Sequence, residues 1–132
     1  MRQAISKLHG NVSADQIIVG TGSKELIFLV MNIFHGDIIL VSPGWTTYAP
    51  QVRLAKQKCF VVNTEMNEEW KVTPKSLMEL LEQNPDISTN KLLILNNPGN
   101  PCKSFLRSNP RFISFSIIAG TVYSAEELQK LR

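Results

Sequence analysis

Two short runs constrain this chain more than any other feature. DIILV, Asp37 to Val41 and nearly all apolar, and the LLIL at the centre of Lys91 to Asn96 carry apolar residues at consecutive positions, not alternate ones. Successive side chains on a strand point to opposite faces. Strands of this kind must therefore be covered on both sides, the usual state of a parallel sheet. Ile17 to Val19 and Cys59 to Val62 read as two further strands. Helical signals alternate with them. Gln3 to Leu8 reads as the end of a helix. Ser23 to Phe34 is apolar nearly all round, which predicts a mostly buried helix, and His35-Gly36-Asp37 breaks it. Gln51 to Gln57 reads as helix. Thr73-Pro74 offers a capping hydroxyl followed by proline at the first helical position, and that helix runs through LMELLEQ to Asn84-Pro85. Ser124 and Glu127 form a capping box for a last helix, Ser124 to Leu131. This alternation predicts an α/β fold, a three-layer sandwich with a mostly parallel sheet.

The chain has 132 residues, enough for one domain with a core of its own. Its net charge of +3 is spread along the sequence and gives no basic patch for nucleic acid. Cys59 and Cys102 have no metal spacing, so they read as reduced thiols, and no metal site is expected. The start, MRQAISKLHG, lacks an apolar signal core, and runs such as IFLVMNIF and FISFSIIAG are too short to span a bilayer. These features predict a cytoplasmic protein that does not engage a membrane.

In parallel sheets, ligands sit beyond the carboxyl ends of the strands. Three loops fall there. The first is Gly20-Thr21-Gly22-Ser23-Lys24, where a strand meets a helix. Helix N-termini offer free N–H groups and a partial positive charge, a natural anion site. A P-loop is excluded, because Lys24 is followed by Glu25 and the glycine spacing is wrong. A dinucleotide fingerprint is excluded, because Glu25 stands where its third glycine belongs. A single phosphate and a plain turn capped by Ser23 both remain open. The second loop, SPGWTTY, places Trp45 where its flat ring would stack on an aromatic ligand. The third, NNPGNP from Asn96 to Pro101, uses proline to hold Asn100 stiffly. His9 and His35 suggest no dyad. Glu68-Glu69 and the charges from Glu79 to Glu82 read as solvated faces.

In this order and spacing, the three loops resemble those of the large domain of pyridoxal-phosphate-dependent aminotransferases of class I/II, fold type I. The likeness covers Met1 to about Pro101 and resumes at Gly120-Thr121-Val122-Tyr123-Ser124. It implies that Gly22, Ser23 and Lys24 hold the phosphate of pyridoxal phosphate, with backbone N–H groups from Ser23 and Lys24. It implies that Trp45 stacks on the pyridine and that Asn100 hydrogen-bonds the cofactor's phenolic oxygen. Lys24 lies at the phosphate end, far from the aldehyde, and is expected to be phosphate-proximal or solvent-facing. The substrates implied are an amino acid and a 2-oxo acid, and the assembly implied is a homodimer.

Two departures from that family shape the expectation for activity. The family's subunit is several times longer. The aspartate that pairs with the pyridine nitrogen, the lysine that holds the cofactor covalently and the arginine that binds the substrate carboxylate all fall beyond Arg132. No catalytic residue is therefore assigned within the chain. Second, CKSFLRSNPRFISFSIIA, residues 102 to 119, interrupts the family pattern. It reads as an aberrant insertion, from a retained intron or a mistaken gene model, within a partial large domain spanning 1–132. The expectation is a fragment able at most to bind pyridoxal phosphate and inactive alone. The alternatives are a non-catalytic module that binds a phosphorylated ligand, and an unstable chain with unpaired sheet edges.

Overall fold

The computed structural model describes residues 1–9, 12–96 and 99–102. The expected helix at Ser124 to Leu131, the renewed likeness at Gly120 to Ser124 and all of the 102–119 segment except Cys102 lie outside the described residues.

In chain order, helix α1 is Arg2–His9, α2 is Ser23–Ile33 and strand β1 is Asp37–Ser42. Helix α3 is Tyr48–Leu54, β2 is Cys59–Asn63, α4 is Pro74–Gln83 and β3 is Lys91–Ile94. Short 3-10 turns occupy Ala14–Gln16 and Met66–Glu68. The strands form one parallel sheet in the order β2-β1-β3. Ile38 lies opposite Cys59 on one side and Leu92 on the other.

The consecutive apolar positions of β1 and β3 divide between two cores, as their pattern requires. Ile38, Leu40, Leu92 and Ile94 pack with Ile27 and Met31 of α2 and with Tyr48 and Val52 of α3. Ile39, Leu93 and Leu95 pack on the opposite face with Val62 and with Leu77 of α4. Helices thus cover both faces, which is the three-layer α/β arrangement. Met31, Ile38 and Val52 are fully buried. Burial of side chains of this size contributes about 1.5–3 kcal/mol each.

Local chemistry sets the element ends. The Thr73 hydroxyl accepts from the Ser76 N–H at 3.1 Å, and Pro74 stands at the start of α4. Gly36 has φ +152°, and a Cβ there would collide with the Asn90 carbonyl, so only glycine fits between α2 and β1. Asp37 then takes the Ser88 N–H on its carboxylate at 2.7 Å and donates its own N–H to the Asn90 carbonyl.

Three expectations need correction. Ile17 to Val19 is no strand here, because it has no ladder partner among the described residues, and Ile18 is 77% exposed. The first loop therefore follows an extended segment outside the sheet. Helix α2 is not mostly buried. Ile27 and Met31 face the core, whereas Leu29, Val30 and Ile33 are exposed, since among the described residues only one side of the helix has a neighbouring layer. Helix α3 begins at Tyr48, three residues earlier than expected, because Pro50 falls in the first turn, where its missing N–H has no helical partner to lose. Among the described residues, no helix is long and apolar enough to cross a membrane.

Candidate functional site

The carboxyl ends of β1 and β3 are neighbours, because the two strands pair directly. The chain leaves β1 through Pro43-Gly44-Trp45 and leaves β3 through Leu95-Asn96 towards Gly99-Asn100. Gly44 is required at its turn, since a Cβ there would run into the Val41 carbonyl oxygen. A narrow cleft of about 30 Å³, space for about one water, opens between the two loops. Gly44, Tyr48, Trp70, Asn96 and Asn100 are among its walls.

The glycine turn meets this region from the side. Gly22 caps α2 and Ser23 is the first helical residue, so the capping role considered for Ser23 belongs to Gly22. Gly22 has an extended backbone, φ 172° and ψ 156°, which any residue adopts, and a Cβ there would meet nothing within 4 Å. Neither the backbone nor the packing therefore requires glycine at this position. A bare backbone at a helix mouth gives a small anion close access to the N–H groups. At Gly20, by contrast, a Cβ would lie 2.7 Å from the Leu26 side chain, which would have to shift to admit one. An open hollow of about 400 Å³ lies at the mouth of α2, bordered by Gly22, Lys24, Phe28 and Gln51. The Thr21 hydroxyl donates to the Glu25 carboxylate, which turns that acidic group towards the loop's own side chain.

Trp45 touches both neighbourhoods. The Lys24 ammonium stands 5.3 Å from the centre of its ring. Its ring also meets the Tyr48 ring edge to face, with centroids 5.4 Å apart. Lys24 is exposed, Ser23 and Trp45 are half-buried and Asn100 is exposed. A chain of contacts thus runs from Lys24 through Trp45 to Tyr48, and Tyr48 shares the cleft with Asn100. Gly22 and Asn100 themselves border different hollows.

Two polar groups that the sequence reading passed over belong to this region. The Tyr48 hydroxyl is buried with no hydrogen-bond partner among the described residues, and burial pushes its pKa up. Gln51 donates from Nε2 to the Lys24 carbonyl at 2.7 Å, while its Oε1 has no partner among the described residues. The signal was present in the sequence. Tyr48, Gln51, Val52 and Ala55 form an i, i+3, i+4, i+7 stripe, the spacing of a buried helix face, and Gln51 is its polar intruder.

The residues present fit a phosphorylated aromatic group. The mouth of α2 offers free N–H groups beside an unobstructed glycine and a lysine. Trp45 offers a flat face. The buried Tyr48 hydroxyl, which lacks an acceptor, borders the cleft shared with Asn100.

Comparison with known proteins identifies the family. The family model for aminotransferase class I and II matches residues 1–107. The aspartate aminotransferase of Thermotoga maritima is 29% identical, with 95% of this chain covered and 36% of the relative. The aspartate/prephenate aminotransferase of Nitrosomonas europaea is 28% identical over 88% of this chain and 24% of its own length. The solved aspartate aminotransferase of Thermus thermophilus with maleate superposes with a TM-score of 0.64 at 28% identity, covering 76% of this chain and 27% of that one. The aromatic aminotransferase of Pyrococcus horikoshii gives 0.66 at 25% identity, with 80% and 29% covered. The chain thus spans about a quarter to a third of the length of these relatives. With four-fifths of its residues matched by one family model, the chain belongs to the aminotransferase class I and II family.

Proposed function

We propose that this chain carries the cofactor grip of a pyridoxal-phosphate-dependent aminotransferase, which transfers an amino group between an amino acid and a 2-oxo acid. Ser23 and Lys24 present their N–H groups to the phosphate at the mouth of α2, and Gly22 leaves the approach open. Trp45 supplies the face for the pyridine ring. Asn100 donates to the phenolic oxygen. The bound cofactor supplies the electron-withdrawing ring that makes the amino acid's Cα proton removable. Lys24 adds positive charge near the phosphate and shields one side of Trp45 until the ligand arrives. Homodimer assembly belongs to the same reading.

One observation carries the proposal: Lys24 lies over Trp45, Trp45 meets Tyr48, and Tyr48 borders the same cleft as Asn100, which supports a site shared by the three loops. Within the 132 residues, these groups bind and orient. No side chain here is assigned to move the Cα proton. The chain alone is therefore a binding unit without turnover. Aspartate is the first amino donor to test, since relatives carry it in their names.

The test is a titration of the purified chain with pyridoxal phosphate, followed by absorbance and tryptophan fluorescence. Trp70 also borders the cleft, so a Trp70→Phe background isolates Trp45. The expected result is saturable quenching, no borohydride-stable adduct and no transfer from aspartate to a 2-oxo acid. A site-specific reduced adduct at Lys24 overturns the placement of Lys24 at the phosphate end. Absence of quenching overturns the cofactor site. A second reading, a non-catalytic module for phosphorylated ligands, is favoured by the hollow at the mouth of α2. It predicts that inorganic phosphate and pyridoxal phosphate bind with similar affinity.

A further inference from the structure

Gln51 is a buried polar side chain that the proposed cofactor contacts leave without a task. It lies on the inner side of α3 with Tyr48 and Val52, and only 7% of it is exposed. An amide in such a place is destabilising unless both its ends are bonded. Only one end is. Nε2 reaches across to α2 and donates to the Lys24 carbonyl at 2.7 Å, whereas Oε1 has no partner among the described residues. A methionine or leucine would fill the same space beside Val52 without leaving an orphaned oxygen. The bond to Lys24 is what the amide adds.

That bond joins two parts of the site. Lys24 belongs to the first turn of α2 and borders, with Gly22 and Gln51, the hollow at the mouth of that helix. Gln51 belongs to the helix whose first residue, Tyr48, meets Trp45 edge to face and donates its N–H to the Trp45 carbonyl at 3.2 Å. The Gln51–Lys24 bond therefore sets the anion-facing turn of one helix against the aromatic platform of the other.

We propose that Gln51 is a positioning residue, which fixes the spacing between the α2 N–H groups and the Trp45 ring so that phosphate and pyridine are engaged together. The inference rests on the cofactor reading above. Without the bond, each half of the ligand would still find its own partner. The two contacts would no longer be pre-set at one distance, and binding would lose the gain from preorganisation.

The experiment compares the full chain with its Gln51→Met variant, both in the Trp70→Phe background. Each is titrated with pyridoxal phosphate and with pyridoxal, which lacks the phosphate. The unaltered chain is expected to prefer pyridoxal phosphate. In Gln51→Met that preference is expected to shrink about tenfold, which is about 1.4 kcal/mol of binding lost from preorganisation, with pyridoxal affinity and melting temperature little changed. An unchanged preference overturns the positioning role and leaves the cofactor reading standing. Parallel weakening of both ligands also overturns it, as a purely structural residue behaves that way. If the unaltered chain binds neither ligand, the cofactor reading fails and the inference falls with it. Gln51→Glu keeps the test decisive if the methionine variant does not fold. A protonated carboxyl donates to the Lys24 carbonyl and an ionised one cannot. Relative to the unaltered chain at each pH, the preference should return as pH falls through the carboxyl's titration, and a pH-independent ratio overturns the proposal.

Discussion

Gly22→Ser separates the stability of this fold from its ligand chemistry, because the two respond with opposite signs. Gly22 caps α2 with an extended backbone, and a Cβ would meet no atom within 4 Å. Serine is the better cap, since its hydroxyl accepts an N–H of the first turn, and it exceeds glycine there by a few tenths of a kcal/mol. Replacing glycine at a compatible backbone position also restricts the unfolded chain, worth about 0.4–1 kcal/mol. Together these predict a gain of about 0.5–1.5 kcal/mol, or roughly 2–8 °C in melting temperature for a domain of this size. The same Cβ and hydroxyl stand where the phosphate must approach the backbone, so affinity for pyridoxal phosphate should fall at least about tenfold, the loss of one charge-assisted hydrogen bond. Urea denaturation and a fluorescence titration on one preparation measure both. A destabilised variant refutes the packing argument. A stabilised variant that binds as tightly as before refutes the assignment of Gly22 to the phosphate.

Other consequences concern the core and the orphaned groups. Met31→Ala removes a fully buried side chain from the core between α2, α3 and the sheet, and urea unfolding should show a loss of about 2–5 kcal/mol. Thr73→Ala deletes the α4 cap and should lose about 1 kcal/mol; no loss would mean that Pro74 alone sets the helix start. Tyr48→Phe removes a buried hydroxyl without a partner, and in the ligand-free chain stability should hold or rise by about 1 kcal/mol. Burial raises the Tyr48 pKa above its ordinary value of 10.0. The neutral phenol is the folded form, so its contribution is intact below pH 10 and is lost as pH climbs towards the folded-state value. Alkaline melting curves of the unaltered chain should therefore fall more steeply than those of Tyr48→Phe.

What could be read from the sequence follows from which forces are local. DIILV and LLIL announced burial on two faces, and both cores divide along that alternation. Thr73-Pro74 announced a helix start because capping is an interaction among near neighbours. Ile17 to Val19 misled because a strand is defined by its partner, and three apolar residues say nothing about whether one lies alongside. Helix α2 misled for a related reason. Its apolar outer face reports a need for cover, whereas the described layers cover only Ile27 and Met31. The loops were visible as compositions, but the contact from Lys24 through Trp45 to Tyr48 depends on how α2 and α3 pack. Gln51 is a single polar residue in the sequence, although the apolar stripe around it marks a buried position. The 102–119 proposal rests on the sequence pattern alone, and reading the mature transcript across those codons tests it.

The central claim is that the glycine turn, the tryptophan loop and the asparagine loop serve one small molecule. A titration of the isotope-labelled chain with pyridoxal phosphate, followed by amide and side-chain resonances, tests it directly. The backbone N–H signals of Ser23 and Lys24, the Trp45 indole and the Asn100 side-chain amide should all shift along one saturation curve with a single Kd. Shifts confined to one loop, or separate curves for the three, would contradict the account.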